Sequence, residues 1–164
     1  MLTQDRLKEF FHYCEETGHF TRIKTVRGRG SIKGSIAGTK MQNGYLKTCI
    51  DDKEYLLHRL AWLYVHGVWP DNMIDHINQI KDDNRLCNLR QATRSENMRN
   101  TVKRKTNRTG VKGVTLNKQT NKYVAQITLN YKNINLGSFT TKEEAAKAYA
   151  EAAKKLHKEF AYYE

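Results

Sequence analysis

Asp75 and His76 stand side by side near the end of an apolar stretch, NMIDHI (72–77), and Asn88 and Asn97 follow His76 by twelve and twenty-one residues. These residue types suit the hydrolysis of a phosphodiester. A carboxylate and an amide oxygen are hard ligands of the kind a magnesium-like cation takes, with water and scissile phosphate oxygens in the remaining positions. An imidazole next to them can act as general base on the attacking water. Asp75 and Asn97 are therefore candidate ligands of one divalent ion, and His76 the candidate base. Asn88 has a different role, since its amide can bond to backbone, tie the loop together and fix the geometry of His76. On a regular strand neighbours face opposite sides, so Asp75 and His76 serve one centre only if the strand ends there. By spacing alone, a surface Asp–His pair is the commoner outcome.

Elements with readable patterns surround these residues. LTQDRLKEFFHYC (2–14) has apolar positions suited to a short amphipathic helix, and HFTRI (19–23) is strand-like. RGRGSIKGS (27–35) reads as an exposed basic loop. Asn43-Gly44 predicts a hairpin, and Asp51-Asp52 a second tight turn, so the region forms a small antiparallel meander. LHRLAWLYVHG (57–67) predicts a helix stopped by Gly67 and then by Pro70, the only proline. NMIDHI is a short strand, and 78–92 reads as an Asn/Asp-rich loop. Thr93 and Glu96 form a capping-box pattern, which opens a helix carrying Asn97 in its first turns.

Residues 100–110 are polar and basic, without apolar periodicity, as a linker would be. Three strand signals follow, VKGVTLN, KYVAQITLN and NINLGSF. A second capping box, Thr141 with Glu144, opens a helix with Ala145, Tyr149, Ala152, Leu156 and Phe160 along one stripe, widened by Ala146 and Ala153. That stripe covers one face of a three-stranded sheet. Tyr123, Ala125, Ile127 and Leu129 point to it, as do Ile134 and Leu136. The other face is left to Lys122, Gln126, Thr128, Asn133 and Asn135, extended by Thr115 and Asn117. Lys112 joins them only if Gly113 marks a bulge. Amides and hydroxyls framed by lysines on an open sheet suit base-edge reading in a major groove; an ordinary solvated sheet face has the same pattern.

The whole chain agrees with a polyanionic partner. It has 164 residues, a net charge of +12 and a pI near 9.7. From Asn97 to Lys142 there is no acidic residue. Arg99, Lys103, Arg104 and Arg108, in and beside the linker, are candidates for phosphate contacts. Three scattered cysteines form no CxxC pair, so no zinc is expected; their odd number and the lack of an apolar leader suit an intracellular setting, in the cytoplasm or on the nucleoid of a host cell. No run is long enough to span a membrane.

Residues 57–100 resemble the HNH endonucleases, in the branch found in phage and intron-borne homing enzymes. The matching elements are HRLAW, the Gly and Pro before the site, IDHIN, DNR, NLR, T and EN. The resemblance implies a ββα-metal nuclease core, with Asp75 and Asn97 as metal ligands, His76 as general base and Asn88 as the structural middle Asn. It also suggests Arg59, of the HR pair, as a phosphate contact. Residues 109–162 resemble the APETALA-two, or ethylene-response-factor, DNA-binding domain through GVKGV, YVAQI, LGSF, EEAAKAYAEAA and FA. Plant members carry several Arg and Trp on the reading face, so their target does not transfer to Lys112, Gln126 and Asn135.

The expected fold is α+β: a small N-terminal antiparallel sheet (1–56), the nuclease core (57–100), a basic linker (101–108), and a three-stranded sheet with one helix (109–164). The expected activity is site-specific hydrolysis of double-stranded DNA with one Mg2+ or Mn2+ per active site. The expected species is a monomer on an asymmetric target.

Overall fold

A computed structural model describes residues 1–26, 31–101 and 107–161. The chain forms two compact units, Met1–Ala92 and Thr93–Glu164. The class is α+β. Among the described residues no helix is long and apolar enough to cross a membrane.

The N-terminal unit begins with helix α1, Gln4–Lys8, capped by the Thr3 hydroxyl. The helix expected over 2–14 stops there, because Phe11 and Tyr13 alternate with exposed His12 and form strand β1, Phe11–Cys14. β1 pairs with β2, His19–Arg22. Strands β3 (Thr39–Lys40), β4 (Leu46–Ile50) and β5 (Lys53–Leu56) form the expected meander. Asp51 and Asp52 both take positive φ in its second turn, a mirror-image turn that matches strand twist.

Helix α2, Leu57–His66, follows directly and ends on Gly67. It buries Leu57, Leu60, Ala61 and Leu63 against Leu7, Phe11, Phe20 and Ile50. Each of the fully buried leucines contributes about 1.5–3 kcal/mol. Strand β6, Met73–His76, ends at the histidine. The segment expected as loop over 78–92 contains one further strand, β7, Leu89–Ala92, preceded by a 3-10 turn over Leu86–Asn88. β7 pairs antiparallel with β6 and sets Asp75 opposite Arg90 and His76 opposite Leu89.

The C-terminal unit begins with helix α3, Arg94–Arg99, whose Thr93/Glu96 capping box is complete. Strands β8 (Val114–Asn117), β9 (Lys122–Leu129) and β10 (Lys132–Phe139) form an antiparallel sheet in the order β10-β9-β8. Helix α4, Lys142–His157, opens with the Thr141/Glu144 capping box and packs on that sheet. Its fully buried stripe is Ala145, Tyr149, Ala153 and His157, a four-residue repeat. Ala152 and Leu156 sit at the margin, half-buried. His157, outside the stripe read from the sequence, is buried here, and its Nε2 meets the Thr128 carbonyl at 3.0 Å. Gly113 makes the close packing possible: a Cβ there would lie 2.1 Å from the Tyr149 ring and 2.6 Å from the Gln126 carbonyl.

Candidate active site and DNA-reading face

β6 ends at His76, and the chain turns at once, with Gln79 N–H bonded to the His76 carbonyl. Asp75 and His76 are both buried, at 5 % and 4 % exposure. Burying a carboxylate costs free energy unless it is paired. Arg90, its cross-strand neighbour, supplies the pair: Nε and Nη2 donate to Asp75 Oδ2 at 2.9 and 2.8 Å. Sequence reasoning misses Arg90, because its strand reads as loop.

His76 Nε2 meets Asn84 Oδ1 at 3.3 Å. In the tautomer that lets this amide oxygen accept, Nε2 carries the proton and Nδ1 is the ring's basic nitrogen. Asn84 is 1 % exposed and is itself gripped by the N-terminal hairpin. The Tyr13 hydroxyl donates to the Asn84 carbonyl at 2.7 Å, and a Cβ on Gly18 would come within 2.5 Å of the Asn84–Arg85 backbone. Gly18 itself takes φ +72°. Asn84 stands within the motif segment, where nothing in the sequence gives it a role; its burial is the signal that marks it.

Asn88 clips the loop at both ends. Its Nδ2 donates to the Asp83 carbonyl at 2.8 Å, and its Oδ1 accepts from Asn78 N–H at 2.9 Å. Asp83 is held by Arg85 and Asn78, and the Arg85 guanidinium keeps its carboxyl at a pKa of about 2.

A second imidazole flanks the first. His58 on α2 is 5 % exposed, and its ring meets His76 edge-on at 5.2 Å. Tyr45 lies against both rings, at 5.1 and 5.7 Å. His58 Nδ1 is buried without a hydrogen-bond partner. Burial, with His76 nearby, pushes its pKa down to about 3, so the ring is neutral. Burial also lowers His76, opposed by the Asn84 bond and by Asp75. Arg59, next to His58, braces the chain before β6 through the Asn72 and Pro70 carbonyls, both at 3.4 Å, and lies over Trp69. Cys87, in the loop clipped by Asn88, is exposed.

Among the described residues no group of three His, Cys, Asp or Glu side chains gathers around one point. One carboxylate beside amide groups nonetheless suits a hard cation that draws its other ligands from water and phosphate. Asn97 belongs to the other compact unit, on α3, where its N–H bonds to the Thr93 carbonyl at 2.9 Å.

In the C-terminal unit the cross-strand rows alternate as the sequence implies. Val114 and Ala125 face α4, while Thr115 and Val124 face away. The outward set contains the pairs Gln126–Asn135, Thr128–Asn133 and Lys122–Asn117, all exposed. Several of these groups already have local partners. Thr128 Oγ1 donates to Asn133 Oδ1 at 2.6 Å, Asn135 Oδ1 accepts from Gly137 N–H at a register shift, and Asn117 Oδ1 caps the β8–β9 turn. Ile134, expected inward, is 38 % exposed near the sheet edge. Arg108 is exposed, and Arg99 donates to Asn130 at 2.7 Å. Lys103 and Arg104 lie outside the described residues. Lys112 does not join the outward face: its ammonium turns in to the Arg99 and Thr101 carbonyls, both at 2.6 Å.

Residues 55–99 match the family of HNH endonucleases, and residues 109–159 match the AP2 domain. The chain joins an HNH endonuclease domain to an AP2 domain. No curated protein and no solved structure matches it. The HNH match contains the buried Asp75–His76 pair and its clip, Asn88; the AP2 match contains the exposed polar sheet and the helix behind it. Together the two domains support a DNA-binding nuclease.

Proposed function

We propose that the protein is a site-specific endonuclease of the homing type, acting on duplex DNA at an intron or gene-insertion target in a phage-infected or similar host cell. The observation that carries the reading is the buried Asp75–His76 pair at a strand end, with His76 oriented through Asn84 and its loop clipped by Asn88. Asp75, with Asn97 assigned by the motif, would hold one Mg2+ or Mn2+; such an ion polarises a phosphate and stabilises the leaving oxygen. His76 Nδ1 takes the proton of the attacking water while Nε2–H stays on Asn84. The depressed pKa keeps the imidazole in its basic form to lower pH than usual. Water attack on phosphorus, with departure of the 3′ oxygen, leaves a 5′-phosphate and a 3′-hydroxyl. The exposed residues Thr115, Lys122, Gln126 and Asn135 would read base edges, and Arg108 would hold phosphate.

One constellation per chain and two dissimilar domains favour a monomer that nicks one strand of an asymmetric site. The test is a supercoiled plasmid carrying DNA from around the chain's own gene, incubated with magnesium or manganese. Open circles that persist support nicking. Direct linearisation makes the acting species a dimer, and random cutting makes it a nuclease without a unique target. The Arg90–Asp75 ion pair favours one other reading, a DNA-binding regulator in which the carboxylate stays with arginine. Metal-dependent cleavage that disappears in Asp75→Ala decides against it.

A further inference from the structure

α3 is six residues long and buries none of them. A helix that short does not hold itself in water, and it has no apolar face to dock. Among the described residues, polar ties at its C-terminal end lead into the AP2 unit. Lys112, just before β8, donates to the carbonyls of Arg99 and Thr101, both at 2.6 Å. These are C-terminal carbonyls, the groups a helix leaves without intrahelical partners and the end that favours a cation. The Arg99 guanidinium reaches Asn130 Oδ1 in the β9–β10 turn at 2.7 Å. The 3-10 turn Lys158–Phe160 also packs on α3. Burial lowers the Lys112 ammonium to a pKa of about 8, and the residue is half-buried. The end of α3 and the polar face of the sheet line a single cleft of about 950 Å3, with Ser95, Met98 and Arg99 from the helix and Thr115, Gln126 and Thr128 from the sheet.

We propose that Lys112 and Asn130 are positioning residues for Asn97: they fix its helix to the DNA-reading sheet and so hold the metal-ligand amide in place. The proposal rests on the reading of Asn97 as a ligand.

The experiment uses the full chain, Mn2+ as the probe metal and a plasmid that the parent cuts. Lys112→Met and Asn130→Gly are compared with Asn97→Ala. Glycine suits residue 130, which has φ +48°, so the turn keeps its shape while the amide is lost. Bound Mn2+ is counted by electron paramagnetic resonance with duplex present, and duplex affinity is measured on the same samples. Both positioning variants should bind Mn2+ roughly tenfold more weakly, the usual loss when a ligand's support is removed, with duplex affinity retained and the cutting rate recovered at high Mn2+. If Asn97→Ala weakens Mn2+ binding and the other two do not, the positioning role is wrong. If duplex affinity falls in step with Mn2+ binding, Lys112 is a DNA contact and the proposal is overturned. If Asn97→Ala itself binds Mn2+ as the parent does, the ligand reading fails and takes the proposal with it.

Discussion

The two domains handle polar side chains in opposite ways. In the HNH unit the chemical groups are buried: Asp75, His76, Asn84, Asn88 and His58 are all at or below 5 % exposure. In the AP2 unit the amides and hydroxyls of the sheet stand in solvent, and the buried residues are mostly apolar. Burial strengthens electrostatic effects and moves pKa values, as catalysis requires. It also demands that each group be satisfied, hence Arg90 on Asp75 and the two-ended clip of Asn88. A reading face needs the reverse. Its groups must exchange water for base edges without a large rearrangement, so they stay exposed and are held only by neighbours such as Thr128–Asn133.

The largest effect expected from breaking this contrast is at His76. His76→Ala should lower the cutting rate by about a hundredfold or more, while duplex affinity, assigned by the proposal to the other domain, stays put. Gel-based single-turnover rates and fluorescence anisotropy on the same samples measure both; a near-parental rate would remove His76 from the chemistry.

Acid should separate the buried site from an exposed face next. His58 titrates near 3 when folded and near 6.5 when unfolded. Between those values only the unfolded chain takes the proton, so stability is lost as pH falls below 6.5, by about 1.4 kcal/mol per pH unit. Urea unfolding of the parent followed at several pH values should show this slope, and His58→Phe should flatten it. An identical slope in both would place the acid sensitivity elsewhere. His157, also shifted down by burial, adds dependence of the same sign in the AP2 unit.

Asn88→Ala tests the clip. It leaves the Asp83 carbonyl and the Asn78 N–H without their partner, a loss of about 1–3 kcal/mol, read as a lower urea midpoint together with a reduced rate. Loss of rate at unchanged stability would mean that Asn88 acts on the substrate and not on the loop.

The smallest effects belong to the exposed face. Gln126→Ala should reduce discrimination at one base pair by about 1–3 kcal/mol if its amide makes a bidentate contact. Arg108→Ala should weaken binding evenly on all sequences and lower the log–log salt slope by about 0.9. A competition series over single-base variants, repeated at several salt concentrations, distinguishes the two; an even loss for Gln126→Ala would make it a backbone contact.

Much of the fold was legible because it rests on local rules. The Asn43-Gly44 and Asp51-Asp52 turns, the capping boxes at Thr93 and Thr141, the Gly67 stop and the alternation along KYVAQITLN each involve residues close in sequence. β7 was not legible. Four residues with Arg and Gln at the centre carry little strand signal, and only pairing with β6 makes them a strand. The helix expected over 2–14 failed for a related reason: Phe11 fits either period, and the β2 partner decided between them.

The amino-acid sequence by itself determined the Asp75–His76–Asn88–Asn97 motif, the basic character of the C-terminal part and the two alternating faces of its sheet, because residue types and short periodicities suffice for these. Tertiary structure alone decided which side chains complete the site. Arg90 reaches Asp75 through strand register, Asn84 is pressed on His76 by the Tyr13 hairpin some seventy residues earlier, His58 comes from α2, and Lys112 turns away from the reading face to hold the end of α3. Each of these contacts joins residues far apart in sequence, and no local pattern encodes such a pairing.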